Sequence, residues 1–286
     1  YDPDKKDYEK QKKIEKSFLL SGINMLATAN KPESKRFPVD CFKKDFKAKK
    51  DVKSARLYAT ACGIYAAYIN GEKVSMPLAP GITDYRKRVQ YQTYDVTALL
   101  KENNTISIDL ADGWYRGSVG AWGLKKQYGC ETKILARLDI TYNDGTADKV
   151  VSDGTWLWSN DGAVSFADNK DGEIVDADRA PSYSEKAKVT SHNVVPTASN
   201  NVPIAEKETF KGEMITSPSG KKIIDFKQNK AGYVSFKINA KKGQKITLRF
   251  GEMLDESGEL TLKNIQCTNK KLTTPLQTIK YTCKDG

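Results

Sequence analysis

The chain has 286 residues, 38% of them hydrophobic and 29% charged, with a formal net charge of +11. That balance excludes a disordered chain, and no apolar run of about 18 residues is present to span a bilayer. The charge invites a nucleic-acid partner, but lysines such as Lys47, Lys49, Lys53, Lys149, Lys237 and Lys245 are spread along the whole chain, without an Arg-rich helix, an aromatic RNA-binding strand motif or zinc spacing. They read as solvated strand faces, and no nucleic-acid partner is expected.

Residues 1–20 are dense in Lys, Glu and Asp and end in Phe18-Leu19-Leu20, which allows a helical turn or two with a thin apolar stripe. The chain opens on Tyr1, so a leader or tag has been removed or the piece is excised. Residues 21–48 show little periodicity and read as an approach segment. Residues 55–69 are apolar on both faces, as in a central strand pair buried between layers. Asn70-Gly71 closes a hairpin toward Val74, because glycine and asparagine tolerate positive φ. Ile106, Ile108 and Leu110 alternate with Thr105, Ser107 and Asp109, and Ile134, Ala136, Leu138, Ile140 and Tyr142 share another strand face. Asn143-Asp144-Gly145 then turns the chain into a strand near Lys149 to Val151.

The stretch from about 181 to 206 holds Pro181, Pro196 and Pro203 and reads as a linker or a long surface crossing. Alternation resumes at Val234-Phe236-Ile238, Ile246-Leu248-Phe250 and Ile279-Tyr281-Cys283, and the chain stops soon after the last of these, as if cut at a turn. The expected fold is therefore all-β: two consecutive antiparallel, jelly-roll-like β-sandwiches behind a short charged N-terminal arm. The arm and approach cover residues 1–48, the first sandwich 49–185 and the second 186–286, with the join between about 180 and 210.

The chemistry-bearing residues are sparse. Cys41, Cys62, Cys130, Cys267 and Cys283 contain no CxxC pair, and an odd number leaves one unpaired within a monomer. His192 is the one histidine and no GxSxG elbow exists to pair with it, so no nucleophilic triad is expected and no catalytic residue is assigned. Asp112-Gly113-Trp114-Tyr115-Arg116-Gly117 directly follows a strand. Its aromatics suit the C–H face of a sugar, and Asp112 and Arg116 suit vicinal hydroxyls. The competing reading has Trp114 plugging the sandwich end and Asp112 paired with Arg116. Trp122, Gln127 and Tyr128 lie in the next loop as an opposite wall. Asp84, Tyr85, Arg86 and Arg88 read as a bracing network, and Glu252, Asp255 and Glu256 as a solvated acidic turn.

The segments SARLYATACGIYAAYINGEKV (54–74), LAPGITDYRKRVQYQTYDVTALL (78–100) and ADGWYRG (111–117) resemble the N-terminal module of bacterial α-L-rhamnosidases, family 78 glycoside hydrolases. The DGE of 171–173 with Asp176-Ala177 falls where that family has a GE-x-x-DA stretch, and IIDFKQNKAGYVSFKI (223–238) and LRFGEMLDESGEL (248–260) resemble the concanavalin-like sandwich that follows. The family often has Trp at the positions of Ile82 and Tyr233, and Gly at that of Lys227. The resemblance implies inverting hydrolysis of terminal α-L-rhamnosyl groups by carboxylates on an (α/α)6 barrel, for which residues 1–286 show no pattern. It also implies a carbohydrate-binding and docking role, with a rhamnose-containing glycan and a C-terminal catalytic domain of the same protein as partners. No cofactor is required. Since some modules of this kind bind rhamnose with calcium, Asp168, Asn169 and Asp171 become candidate oxygen ligands, although they miss the EF-hand register and a capped turn explains them equally. The matching location is extracytoplasmic, secreted or periplasmic. The rival reading is a structural or adhesive sandwich pair with no sugar site.

Overall fold

The computed structural model describes residues 24–27, 37–121, 123–265 and 277–285. The expected N-terminal helical turns, Trp122 and Cys267 lie outside the described residues. The regular secondary structure of the described residues is almost wholly strand, as the alternation requires. Among the described residues no helix is long and apolar enough to cross a membrane.

Two sheets face each other. One runs in the order Lys188–Thr190, Met25–Ala27, Lys133–Tyr142, Val52–Cys62, Gln90–Asp95, Thr197–Ala198, with Ala147–Val151 also paired to Lys133–Tyr142. The other runs Glu185–Lys186, Leu157–Ser159, Asp40–Lys47, Asn103–Ala111, Ile64–Ile69, Glu72–Lys73. Their inner faces bury Leu26, Phe42, Leu57, Ile69, Ile106, Ile108, Ile134, Leu138 and Trp156 in one continuous core. At roughly 25 cal/mol per Å² of apolar surface removed from water, such a core is the main source of stability.

Three expectations change here. Residues 55–69 do not form a neighbouring strand pair. Val52–Cys62 lies in one sheet and Ile64–Ile69 in the other; Ile64–Ile69 has a single inward row, while the end of Val52–Cys62, from Ala59 to Cys62, is buried on both faces. Asp40–Lys47, within the supposed approach segment, is an interior strand between Leu157–Ser159 and Asn103–Ala111. Its period was hidden because Lys44 occupies the row of Phe42 and Phe46, with its ammonium carried out to Thr155 Oγ1 at 2.6 Å. The proline-rich stretch also supplies Glu185–Lys186, Lys188–Thr190 and Thr197–Ala198 to the two sheets. Strands of two or three residues are too short to show alternation.

A third, mixed sheet follows the order Val164–Asp168, Gly172–Asp176, Thr278–Thr282, Lys245–Arg249, with Gly172–Asp176 parallel to Thr278–Thr282. Glu213–Thr216 with Lys222–Asp225, and Met253–Leu254 with Leu260–Thr261, form separate hairpins. The expected strand at Val234-Phe236-Ile238 is absent, and those three residues lie in irregular chain. The physical reason is the lack of a paired neighbour to accept and donate the ladder hydrogen bonds.

Candidate functional site

The strand Asn103–Ala111 ends at Asp112, and the helical turn Gly113–Arg116 follows at the rim of the sandwich. Gly113 adopts φ +51°, and a Cβ there would lie 2.7 Å from Ile64 Cγ1 and 2.8 Å from the Gly63 backbone. Only glycine allows the chain to turn so close to the crossing between the sheets. The loop then folds back, with Lys126 N donating to Arg116 O at 2.9 Å and Tyr128 N to Tyr115 O at 3.3 Å.

This return gathers an aromatic cluster. Tyr85 meets Tyr115 edge-to-face at 5.3 Å and Tyr128 at 5.2 Å, and the Arg86 guanidinium stands 5.6 Å from the Tyr128 ring centre. Trp114 and Tyr128 are half-buried against Tyr85, Tyr115, Val89 and Cys62. Burial lifts the Tyr115 phenol to about 12, so it stays protonated. Gln127 is exposed beside them, donating to Lys125 O at 2.9 Å.

Asp112 and Arg116 point the other way. Arg116 Nε donates to Asp112 Oδ1 at 2.7 Å, with a second guanidinium nitrogen also 2.7 Å from that oxygen, and the two side chains are 2% and 5% exposed. The guanidinium stacks 4.0 Å from the centre of the Phe37 ring. Beneath the pair, Asp40 Oδ1 accepts from Trp158 Nε1 at 3.1 Å and Oδ2 from Thr132 Oγ1 at 3.3 Å. Burial raises the Asp40 carboxyl from 3.8 to about 6, against the opposing pull of Arg116. Asp112 is also raised by burial, with Arg116 holding it down. The ion pair fastens the rim, while Trp114, Gln127 and Tyr128 present the outward surface. Sequence reasoning missed Asp40 and Phe37 because both sat in a segment without period. Tyr85 and Arg86 were flagged only as bracing, and their adjacency to Tyr128 comes from the fold.

The acidic turn engages three of the four Asp168 and Asp171 carboxylate oxygens within the protein. Asp168 Oδ1 accepts from the amides of Lys170 and Asp171 at 2.8 and 3.1 Å, and its Oδ2 from Ser118 N at 2.8 Å. Asp171 Oδ2 accepts from Lys125 Nζ at 2.7 Å, and Asn169 is exposed. Calcium needs about 6–8 convergent oxygens. Among the described residues no group of three or more His, Cys, Asp or Glu side chains is placed to hold a metal. His192, the lone histidine, lies with Nε2 2.9 Å from Tyr85 O.

Residues 50–217 match the family described as alpha-L-rhamnosidase N-terminal domain, and residues 215–286 the bacterial alpha-L-rhamnosidase concanavalin-like domain. An alpha-L-rhamnosidase of Streptomyces avermitilis is 37% identical over 232 residues, which is 76% of this chain and 22% of that protein. One from Formosa agariphila is 34% identical over 78% of this chain and 26% of its own length. The chain thus spans about a quarter of these relatives. The crystal structure of the Streptomyces avermitilis alpha-L-rhamnosidase complexed with L-rhamnose superposes with a TM-score of 0.79 at 32% identity, covering 88% of this chain and 25% of that one. The native enzyme from Aspergillus terreus gives 0.81 at 27% identity, covering 92% of this chain and 31% of its own. With the first family model spanning well over half of its residues, this chain belongs to the alpha-L-rhamnosidase N-terminal domain family.

Proposed function

We propose that this chain is the non-catalytic, carbohydrate-binding and docking part of an α-L-rhamnosidase that acts on terminal α-L-rhamnosyl groups. The observation that carries the reading is the ordered match of two β modules to about a quarter of much longer enzymes named alpha-L-rhamnosidase. In this reading the catalytic carboxylates lie on a helical domain of the same protein, and the β modules hold the glycan near it. An extracytoplasmic setting belongs to the same proposal, because that is where rhamnose-bearing polymers are met.

The sugar surface we assign is the rim formed by Trp114, Gln127 and Tyr128, backed by Tyr85 and Arg86. A 6-deoxy sugar offers a methyl group and ring C–H bonds to the aromatic rings, and its hydroxyls to an amide and a guanidinium. Asp112 and Arg116 then act by holding the rim from within. The buried Asp112–Arg116 pair also favours a second reading, a structural or adhesive sandwich pair, because it removes two groups from any ligand.

The two readings separate by titration. Rhamnose added to the protein in an NMR experiment is expected to bind in the range of about 0.1 to 10 mM, as suits few contacts and a small ligand. Folded Trp114→Ala or Tyr128→Ala protein is expected to lose most of that binding. No binding at tens of millimolar, or undiminished binding by both variants, selects the structural reading. The chain alone is expected to leave an aryl α-L-rhamnoside uncut, and turnover that co-purifies with it would place catalysis within these residues.

A further inference from the structure

The loop that carries Gln127 and Tyr128 has little regular structure of its own beyond a bridge between Val119 and Leu124. Alongside the backbone bonds from Lys126 and Tyr128, charge helps to hold it in place. Lys125 Nζ lies 2.7 Å from Asp171 Oδ2 and 3.8 Å from Asp168 Oδ2. In the other direction, Lys170 Nζ donates to Gly120 O. The same acidic turn reaches the third sheet, where Thr278 N donates to the Asp171 carbonyl at 3.1 Å. Gly172, at φ +98°, allows this approach, since a Cβ there would come within 2.1 Å of Thr278 O. Asp171 therefore grips the loop with its side chain and the strand Thr278–Thr282 with its backbone.

Two neighbouring carboxylates, with side chains 0% and 20% exposed, share this one ammonium. Asp171 Oδ1 is buried with no hydrogen-bond partner, which leaves its charge to be balanced through Lys125. Divalent ions often fill this role in loops, but Asp168 already uses both oxygens on backbone amides and Asn169 faces solvent. A tethered ammonium needs fewer ligands than calcium and cannot be removed by a chelator.

We infer that Lys125 is a positioning residue: its ammonium is the built-in counter-cation that fixes residues 123–130 against the hairpin 164–176. The wall of the proposed sugar surface is thereby ordered by contact with the third sheet and not by a divalent ion. Only the sugar readout below rests on the rhamnose-binding reading.

The test uses the full chain and cleavage by chymotrypsin after Leu124 and Tyr128, located by mass spectrometry. Wild-type cleavage is expected to be the same with EDTA and with millimolar calcium. Lys125→Met is expected to speed it roughly fivefold, the worth of a half-exposed ion pair, while Lys125→Arg stays near wild type. Asp171→Asn is expected to match Lys125→Met, and the double variant to add little to either. Faster wild-type cleavage in EDTA overturns the inference, as does an unchanged rate in Lys125→Met or full additivity in the double variant. Should Lys125→Met fail to fold, Asp171→Asn decides, since it removes the same pair from the other side and an unchanged rate there overturns the inference. Where wild type binds rhamnose, Lys125→Met is expected to weaken that binding at unchanged core melting. A wild type that binds none sinks the sugar reading and leaves the cleavage arms to judge Lys125.

Discussion

In the facing-sheet region, Phe42, Leu57, Ile108 and Trp156 are wholly removed from water, whereas in the region after residue 200 Val202, Met214, Tyr233 and Phe236 are 88%, 68%, 66% and 42% exposed. Both regions carry strands of similar composition and the same alternating pattern. The difference is the second layer. Each inward row of the first region meets another row across the sandwich, while in the second region no facing sheet covers Phe236, Ile238 or Met253 among the described residues. Alternation therefore says which side of a strand wants a core, and not whether the core is there. Where it is missing, as at 234–238, even the strand is not formed.

The comparison is broken most directly by truncating one large side chain in each region. Trp156→Ala removes a ring that is 0% exposed and a hydrogen bond from Nε1 to Val151 O at 2.8 Å. A loss of about 3–5 kcal/mol is expected. Phe236→Ala, whose ring keeps an edge contact with Tyr281 at 5.8 Å, is expected to cost under about 1 kcal/mol. Urea unfolding read by far-ultraviolet circular dichroism, which sees the strands of both regions, measures both, and equal losses would mean that the second region has a core of its own.

The next effect is specific to the first region and runs with pH. Burial raises Asp40 from 3.8 to about 6, so the folded state binds its proton more tightly than the unfolded chain does. The stability linked to that proton is full below pH about 3.8 and is lost as pH rises through about 6, up to about 3 kcal/mol. Asp112, raised in the same direction by burial, adds to the slope. Asp40→Asn keeps an acceptor for Trp158 and carries no charge, so its melting temperature is expected to fall less than that of wild type between pH 5 and 8. Parallel curves would show that Asp40 is ionised in the fold throughout.

The same contrast explains what could be read in advance. The all-β class, the Asn70-Gly71 hairpin and the strands around Ile108 and Leu138 were legible because each follows from a local period or a local turn. Asp40–Lys47 was not, since a lysine interrupts its inward row. The strands at 185–198 were too short to carry a pattern. The aromatic side of the rim was legible as composition in GWYRG, but its orientation was not. The Asp112–Arg116 pair, four residues apart, was legible as the competing reading, whereas the stacking of Arg116 on Phe37 depends on a contact across more than 70 residues of chain. Lys125 gave no signal at all, as one lysine among many looks like another until Asp168 and Asp171 are brought beside it.

The smallest effect is expected in the second region, at Lys227, where related modules commonly have glycine. Lys227 has φ +56°, and its amide donates to Asp225 Oδ1 at 2.7 Å to close the turn after Lys222–Asp225. A side chain in the left-handed region costs on the order of 1 kcal/mol, since Cβ crowds the neighbouring carbonyl. Against this, the Lys227 ammonium lies 3.2 Å from Asp225 Oδ2 and 3.5 Å from Glu213 Oε2. These contacts are exposed and screened, so they offset only part of the strain. Glycine also gives back some of the gain through its freer unfolded chain. The balance favours Lys227→Gly by about a few tenths of a kcal/mol. Hydrogen exchange of the hairpin amides between Glu213 and Asp225 is the suitable readout, because it reports this region without unfolding the first. Slower exchange is expected in the variant. Faster exchange would show that the paired charges, and not the backbone turn, hold the hairpin.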